Sequence, residues 1–178
     1  MMQWETLEWR KNKDYQEWNG MKIRSAEATV AFNLHDAIGV DPGRNFGVGI
    51  LYNKKLTVYW GKFPKQDEDY RYSLLVSNFV QDWIPEYACS ITRIAIEGPS
   101  FGSHFKQVML EDVRVGFWLG FQGIGKETIY VPPQTARKQV FGDGRIKASD
   151  LWLSINKNAA DAVAIALYVA GYEYGRSI

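Results

Sequence analysis

The sequence predicts an α/β fold, a five-stranded mixed sheet flanked by helices. Three observations predict it. Short apolar runs bounded by turn residues begin at Ala37, runs of helical period separate the later ones, and the resulting order is three strands, helix, strand, helix, strand, helix, helix. Strands joined by tight turns pair antiparallel, whereas strands joined through helices pair parallel, so this order gives a mixed sheet covered by helices. At 178 residues the chain is long enough for one domain with a sizeable core.

Residues 1–34 carry Trp4, Trp9 and Trp18 among mixed charges and are broken by Gly20. They read as an extension whose aromatics dock on the domain or reach nucleic acid or a partner, with residues 35–178 as the domain proper. Strands are expected over 37–40, 47–52 and 56–60, separated by Asp41-Pro42-Gly43-Arg44-Asn45 and Asn53-Lys54-Lys55. Leu74, Leu75, Phe79, Val80, Trp83 and Ile84 recur at helical spacing over 67–87, closed by Pro85. A fourth strand over 91–96 ends at Glu97-Gly98-Pro99, and a helix over about 103–120 carries Val108, Val115, Trp118 and Leu119. The fifth strand, 128–131, stops at Pro132-Pro133, which suit the first turn of a helix to about Val140; Gly142-Asp143-Gly144 ends it. The last helix is expected over 158–172.

Composition removes several classes of function. Apolar residues make up 46% and charged ones 23%, which is a globular balance. No run of about eighteen apolar residues occurs, so no membrane span is expected. Basic residues in the first segment are matched by acids, so it does not read as a targeting peptide. One cysteine, Cys89, rules out an internal disulfide and a cysteine zinc site and suits a reducing, cytoplasmic setting such as a nucleoid or phage-infected cell, an organelle remaining open. His35 and His104 stand in no paired ligand spacing. The formal charge of +1 leaves nucleic-acid binding to local patches.

Carboxylates therefore carry whatever chemistry there is. Asp41 ends the first strand, Glu97 ends the fourth and Asp161 lies in the first turn of the last helix. If those strands are parallel neighbours, their ends open on one edge of the sheet and the acids converge there. An oxygen-only cluster suits Mg²⁺ or Mn²⁺, and the chemistry natural to such ions is phosphoryl transfer. Each acid also has an ordinary explanation: Asp41 as a turn residue before Pro-Gly, Glu97 as a solvated strand end, and Asn158 with Asp161 as a helix cap and its partner acid.

Ile38-Gly39-Val40-Asp41-Pro42-Gly43, Ile94-Ala95-Ile96-Glu97, Gly142-Asp143-Gly144-Arg145 and Asn158-Ala159-Ala160-Asp161-Ala162 resemble, in order, the motifs of RuvC-type Holliday junction resolvases over about residues 36–172. The resemblance implies an RNase H-like fold, a homodimer on four-way DNA junctions, and paired symmetrical nicks leaving 5′-phosphate and 3′-hydroxyl ends. It implies two Mg²⁺ or Mn²⁺ ions per site, held by Asp41, Glu97, Asp161 and position 158, with no small-molecule cofactor. Asn158 is the departure, since the family usually has an acid there: either three acids suffice, or the residue was altered to inactivate the chain. The resemblance makes Lys138 and Lys147 candidate catalytic lysines near the scissile phosphate, and adds Arg44, Phe101, Arg137 and Arg145 as candidate DNA contacts. It also places dimerisation on the second helix.

Other readings remain. A related nuclease acting on RNA or other branched DNA would share the whole site, and a catalytically weak junction-binding protein would explain Asn158. An actin-like ATPase needs a much longer chain, and a DEDD-type exonuclease needs an acid where Gly43 stands.

Overall fold

The computed structural model describes residues 7–99 and 107–175. Eight strands form one sheet: β1 (Arg10–Lys11), β2 (Gln16–Trp18), β3 (Met21–Thr29), β4 (Ala37–Asp41), β5 (Asn45–Tyr52), β6 (Lys55–Lys62), β7 (Arg93–Glu97) and β8 (Ile129–Val131). The order across it is β1-β3-β6-β5-β4-β7-β8, with β2 also paired to β3. From β3 through β6, β5 and β4 the pairs are antiparallel, and β4–β7 and β7–β8 are parallel. Helices α1 (Tyr72–Trp83), α2 (Gln107–Gly123), α3 (Pro133–Phe141), α4 (Ala148–Leu151) and α5 (Lys157–Val169) complete the fold.

The five expected strands are the central β4 to β8, and the expected mixed α/β architecture is present. The extension corrects the strand number. Its residues 21–29 are not an appended arm but a full strand on β6, with β1 and β2 covering the outer edge. Burial explains why: Met21, Ile23, Ala26 and Ala28 are all buried against the domain. Two shorter corrections concern helices. The expected helix over 67–87 is α1 flanked by 3₁₀ turns at Asp69–Arg71 and Glu86–Ser90, Pro85 having ended the α-helical hydrogen bonding. The last helix ends at Val169, three residues early, with Gly171 at a φ of 89° that continuing the helix would forbid.

Two different cores lie on the two sides of the sheet. Phe46, Phe63, Phe79, Phe117 and Phe121 fill the space under α1 and α2. Under α5 the strands present glycines instead: a Cβ on Gly39 would lie 2.1 Å from the Ala166 backbone nitrogen, and one on Gly47 2.1 Å from the Asn158 carbonyl oxygen. Only a bare backbone admits the helix at this distance. That contact seats α5 over β4 and β5. No helix among the described residues is long and apolar enough to cross a membrane.

Candidate active site

Three elements bring the site together. β4 and β7 run parallel with Val40 opposite Ile96, so Asp41 and Glu97, the next residue on each, leave the sheet at the same edge. The third element is α5, which begins over Gly47, and Gly47 is the residue paired to Asp41 across β4 and β5. Asn156 caps the helix, its side-chain oxygen accepting from the Asn158 backbone N–H at 2.9 Å. The cap is thus Asn156 and not Asn158, which frees the Asn158 side chain to line the cavity. One turn on, Asp161 is buried, only 7% exposed.

The acids act on one another through their charges. Burial, then the charges of Glu97 and Asp161, hold the Asp41 carboxyl well above its ordinary range, against the opposing pull of Lys157 and Arg137. Burial and the Asp161 charge push Glu97 up to about 7, opposed by Arg137, Arg114 and Lys157. Asp161 is raised by burial, while the Arg137 charge and hydrogen bond work against the rise. Arg137 Nη2 donates to Asp161 Oδ1 at 3.2 Å. From α2, the buried Arg114 donates through Nε to the Glu97 carbonyl at 2.9 Å and through Nη1 to Glu111, fixing the end of β7.

Crowded carboxylates, each raised by burial and by the charge of a nearby acid, are relieved by a hard divalent cation, so the donor chemistry fits Mg²⁺ or Mn²⁺. In the present rotamers no three His, Cys, Asp or Glu side chains among the described residues converge on a single ion. Arg137 engages one Asp161 oxygen instead. A cavity of about 1160 Å³ opens over Asp41, Glu97 and Asn158, with Arg44, Lys62 and Arg114 on its walls.

The remaining candidates fall in several places. Arg44 lines the cavity, its Nε donating to the Phe63 carbonyl at 3.1 Å. Arg137 touches the acids, whereas Lys138 is exposed on α3 and Lys147 is exposed at the N-terminal cap of α4. Arg145 is exposed and closes on Asp143, which its hydrogen bonds hold down to about 2. Phe101 lies outside the described residues. Sequence reasoning missed Lys157 and Arg114. The first directly precedes Asn158 in the motif, and the second is a lone cation between Val113 and Val115, a placement that asks for a buried partner.

Strands β6-β5-β4-β7-β8, three antiparallel and then two parallel, with helices on both faces, define an RNase H-like fold. Within that class the fold is RuvC-like. A Thermus thermophilus RuvC structure matches with a TM-score of 0.51 at 18% identity, covering 74% of this chain and 91% of that one. T. thermophilus RuvC in complex with Holliday junction substrate matches with a TM-score of 0.52 at 18% identity, covering 75% and 91%. No protein-family model matches the chain, and no curated protein matches it at sequence level.

Proposed function

We propose that this chain is a divalent-metal-dependent endonuclease that resolves four-way DNA junctions by paired nicks, acting as a homodimer. The observation that carries the reading is the gathering of half-buried Asp41 and Glu97 with buried Asp161, their charges acting on one another, beside a wide cavity at one edge of a RuvC-like fold. One of the structural neighbours is itself bound to a Holliday junction substrate.

In this reading Asp41, Glu97 and Asp161 hold Mg²⁺ or Mn²⁺, with the Asn158 amide as a neutral fourth donor. The ions, when bound, lower the pKa of water and neutralise charge on the scissile phosphate. Arg137 positions Asp161 through its hydrogen bond, and with Lys157 it offsets the anionic charge that would otherwise repel DNA. Arg114 fixes the backbone of Glu97, so that this carboxylate is presented from a rigid strand end. Arg44 and Lys62, on the cavity wall, take neighbouring phosphates. Exposed Leu74 on α1 and Val108 and Leu119 on α2 support a twofold contact, and two equivalent sites are what symmetrical nicking needs. A DNA-acting role of this kind fits a nucleoid or another cytoplasmic setting.

The test is incubation of the protein with a synthetic four-way junction, a linear duplex and a flap, with and without Mn²⁺. Symmetrical nicks confined to the junction, lost by at least about 10³-fold in Asp41→Asn, are expected. Asn158→Asp is expected to raise cleavage by restoring an anionic ligand. Asn158 also favours a second reading, a junction-binding protein with little catalysis. Binding without nicks, unrepaired by Asn158→Asp, would establish that one instead.

A further inference from the structure

The sheet continues past its five central strands, and its register carries the site edge outward. Asp41 stands opposite Gly47, Gly47 opposite Trp60, and Trp60 opposite Arg24 on the added strand β3. One row further toward that edge, Asn45 stands opposite Lys62. Strands lie about 4.8 Å apart, so Arg24 is about 14 Å from Asp41 along the sheet and about 10 Å from Gly47, over which α5 begins. Lys157 is the first residue of that helix.

These cations share one face. Ala26 and Val58 pack into the core under α5, Arg24 lies two residues from Ala26, and Lys62 lies four from Val58; strand alternation puts all four on the α5 side. Lys62 also lines the cavity with Asp41 and Asn158. Arg24, Lys62 and Lys157 are exposed, and no ion pair or hydrogen bond among the described residues holds any of their side chains. The neighbouring charges are already matched: Lys22 lies 4.7 Å over the Tyr15 ring with Glu17 opposite it, and Glu27 is bound by Lys55 at 2.8 Å. Solvated lysines often guard a sheet edge against other strands. Here β1 and β2 already cover the outer edge of β3, and the three exposed cations lie on the face.

We propose that Arg24, Lys62 and Lys157 form a strip that tracks the phosphodiester backbone of a duplex arm, leading from the acid pocket across the added strand β3. The strip rests on the junction-nuclease reading and deepens it, assigning residues 21–29 a share in DNA binding. About 14 Å corresponds to about four base-pair rises of a duplex, at about 3.4 Å each along its axis. A strip built on paired strands also holds its charges in register without the ordering cost of a loop.

The experiment measures fluorescence anisotropy of a labelled four-way junction with the full chain over a range of salt concentrations in the absence of divalent metal. Arg24→Glu with Lys62→Glu should weaken binding by about tenfold or more at fixed salt, and reduce the slope of log affinity against log salt by about 2. Lys54→Glu with Lys126→Glu makes the same change in net charge at distant turns and should shift affinity by less than about threefold. Matched melting temperatures exclude misfolding as the cause. If the strip variant binds as tightly as the turn variant, the strip is overturned while junction binding stands. If the native chain binds no junction DNA, the junction-nuclease reading falls and the strip falls with it.

Discussion

The two faces of the sheet solve the same packing problem in opposite ways. Under α1 and α2, large rings fill the gap: Phe46 stacks on Phe63 at 4.6 Å between centroids and meets Phe79 at a tilt with centroids 5.1 Å apart. Under α5, Gly39, Gly47 and Gly49 meet the helix backbone directly, and the rings of that side pack further along the helix and around it. A ring-filled layer can shift a side chain when one member changes, whereas a backbone-on-backbone contact has nothing to shift. The acids sit on the second kind of contact. Asp41 ends the strand that carries Gly39, and Asp161 projects from the helix that rests on it, so the rigid face is the one that sets their separation.

The hardest test of that contrast is Gly39→Ala. The new methyl would lie 2.1 Å from the Ala166 nitrogen, 2.5 Å from the Ala162 oxygen and 2.7 Å from the Ala166 Cα, all backbone atoms. We expect a loss of more than about 4 kcal/mol, read as failure to fold or as a collapsed urea midpoint. A variant that melts like the native chain would show that α5 rides loosely after all.

A second difference is electrostatic, since the aromatic layer is uncharged while the edge at α5 buries acids that repel one another. Glu97 rises from an ordinary 4.5 to about 7 in the folded chain, so the native state holds its proton more tightly than the unfolded state does. Its contribution is therefore fully present below about 4.5 and is lost as pH climbs through about 7. Asp41 and Asp161 shift in the same direction. Melts of the metal-free chain should fall by about 5 °C between pH 5 and pH 8, with Mn²⁺ restoring part of the loss at pH 8. In Glu97→Gln the fall should shrink. A melting temperature that rises with pH would mean that the acids are not held against their own charge.

What was legible in the sequence follows the same division. Strands β4 and β5 stand out because both their faces are buried, and the glycine-rich runs before Asp41 and around Gly47 mark them further. β3 was illegible because its pattern inverts halfway: Met21 and Ile23 are buried on the aromatic side, Ala26 on the α5 side, with charged residues between them. No single alternation survives along it. Asp41, Glu97 and Asp161 could be singled out because each stands at the end of an element or within about a turn of it. The cations around them could not, because which lysine or arginine reaches inward depends on helix rotation. Arg137 and the adjacent Lys138 differ only in that, and the structure turns Arg137 toward Asp161.

The smallest change separates rigidity from stability. On Gly49 a Cβ would meet the Ala162 oxygen at 3.1 Å and the Val163 Cα at 3.3 Å, so α5 has to lift by only a few tenths of an ångström. Gly49→Ala should cost about 1–2 kcal/mol, similar to Phe79→Leu in the aromatic layer. The two variants should nevertheless differ in junction cleavage. In the proposed function these acids hold the ions, and lifting α5 moves Asp161 relative to Asp41, a misplacement that costs about tenfold in rate, whereas Phe79→Leu leaves both acids where they are. Single-turnover rates at saturating Mn²⁺, compared at equal stability loss, decide the matter: equal rates would mean that the aromatic face positions the site as much as the glycine face does.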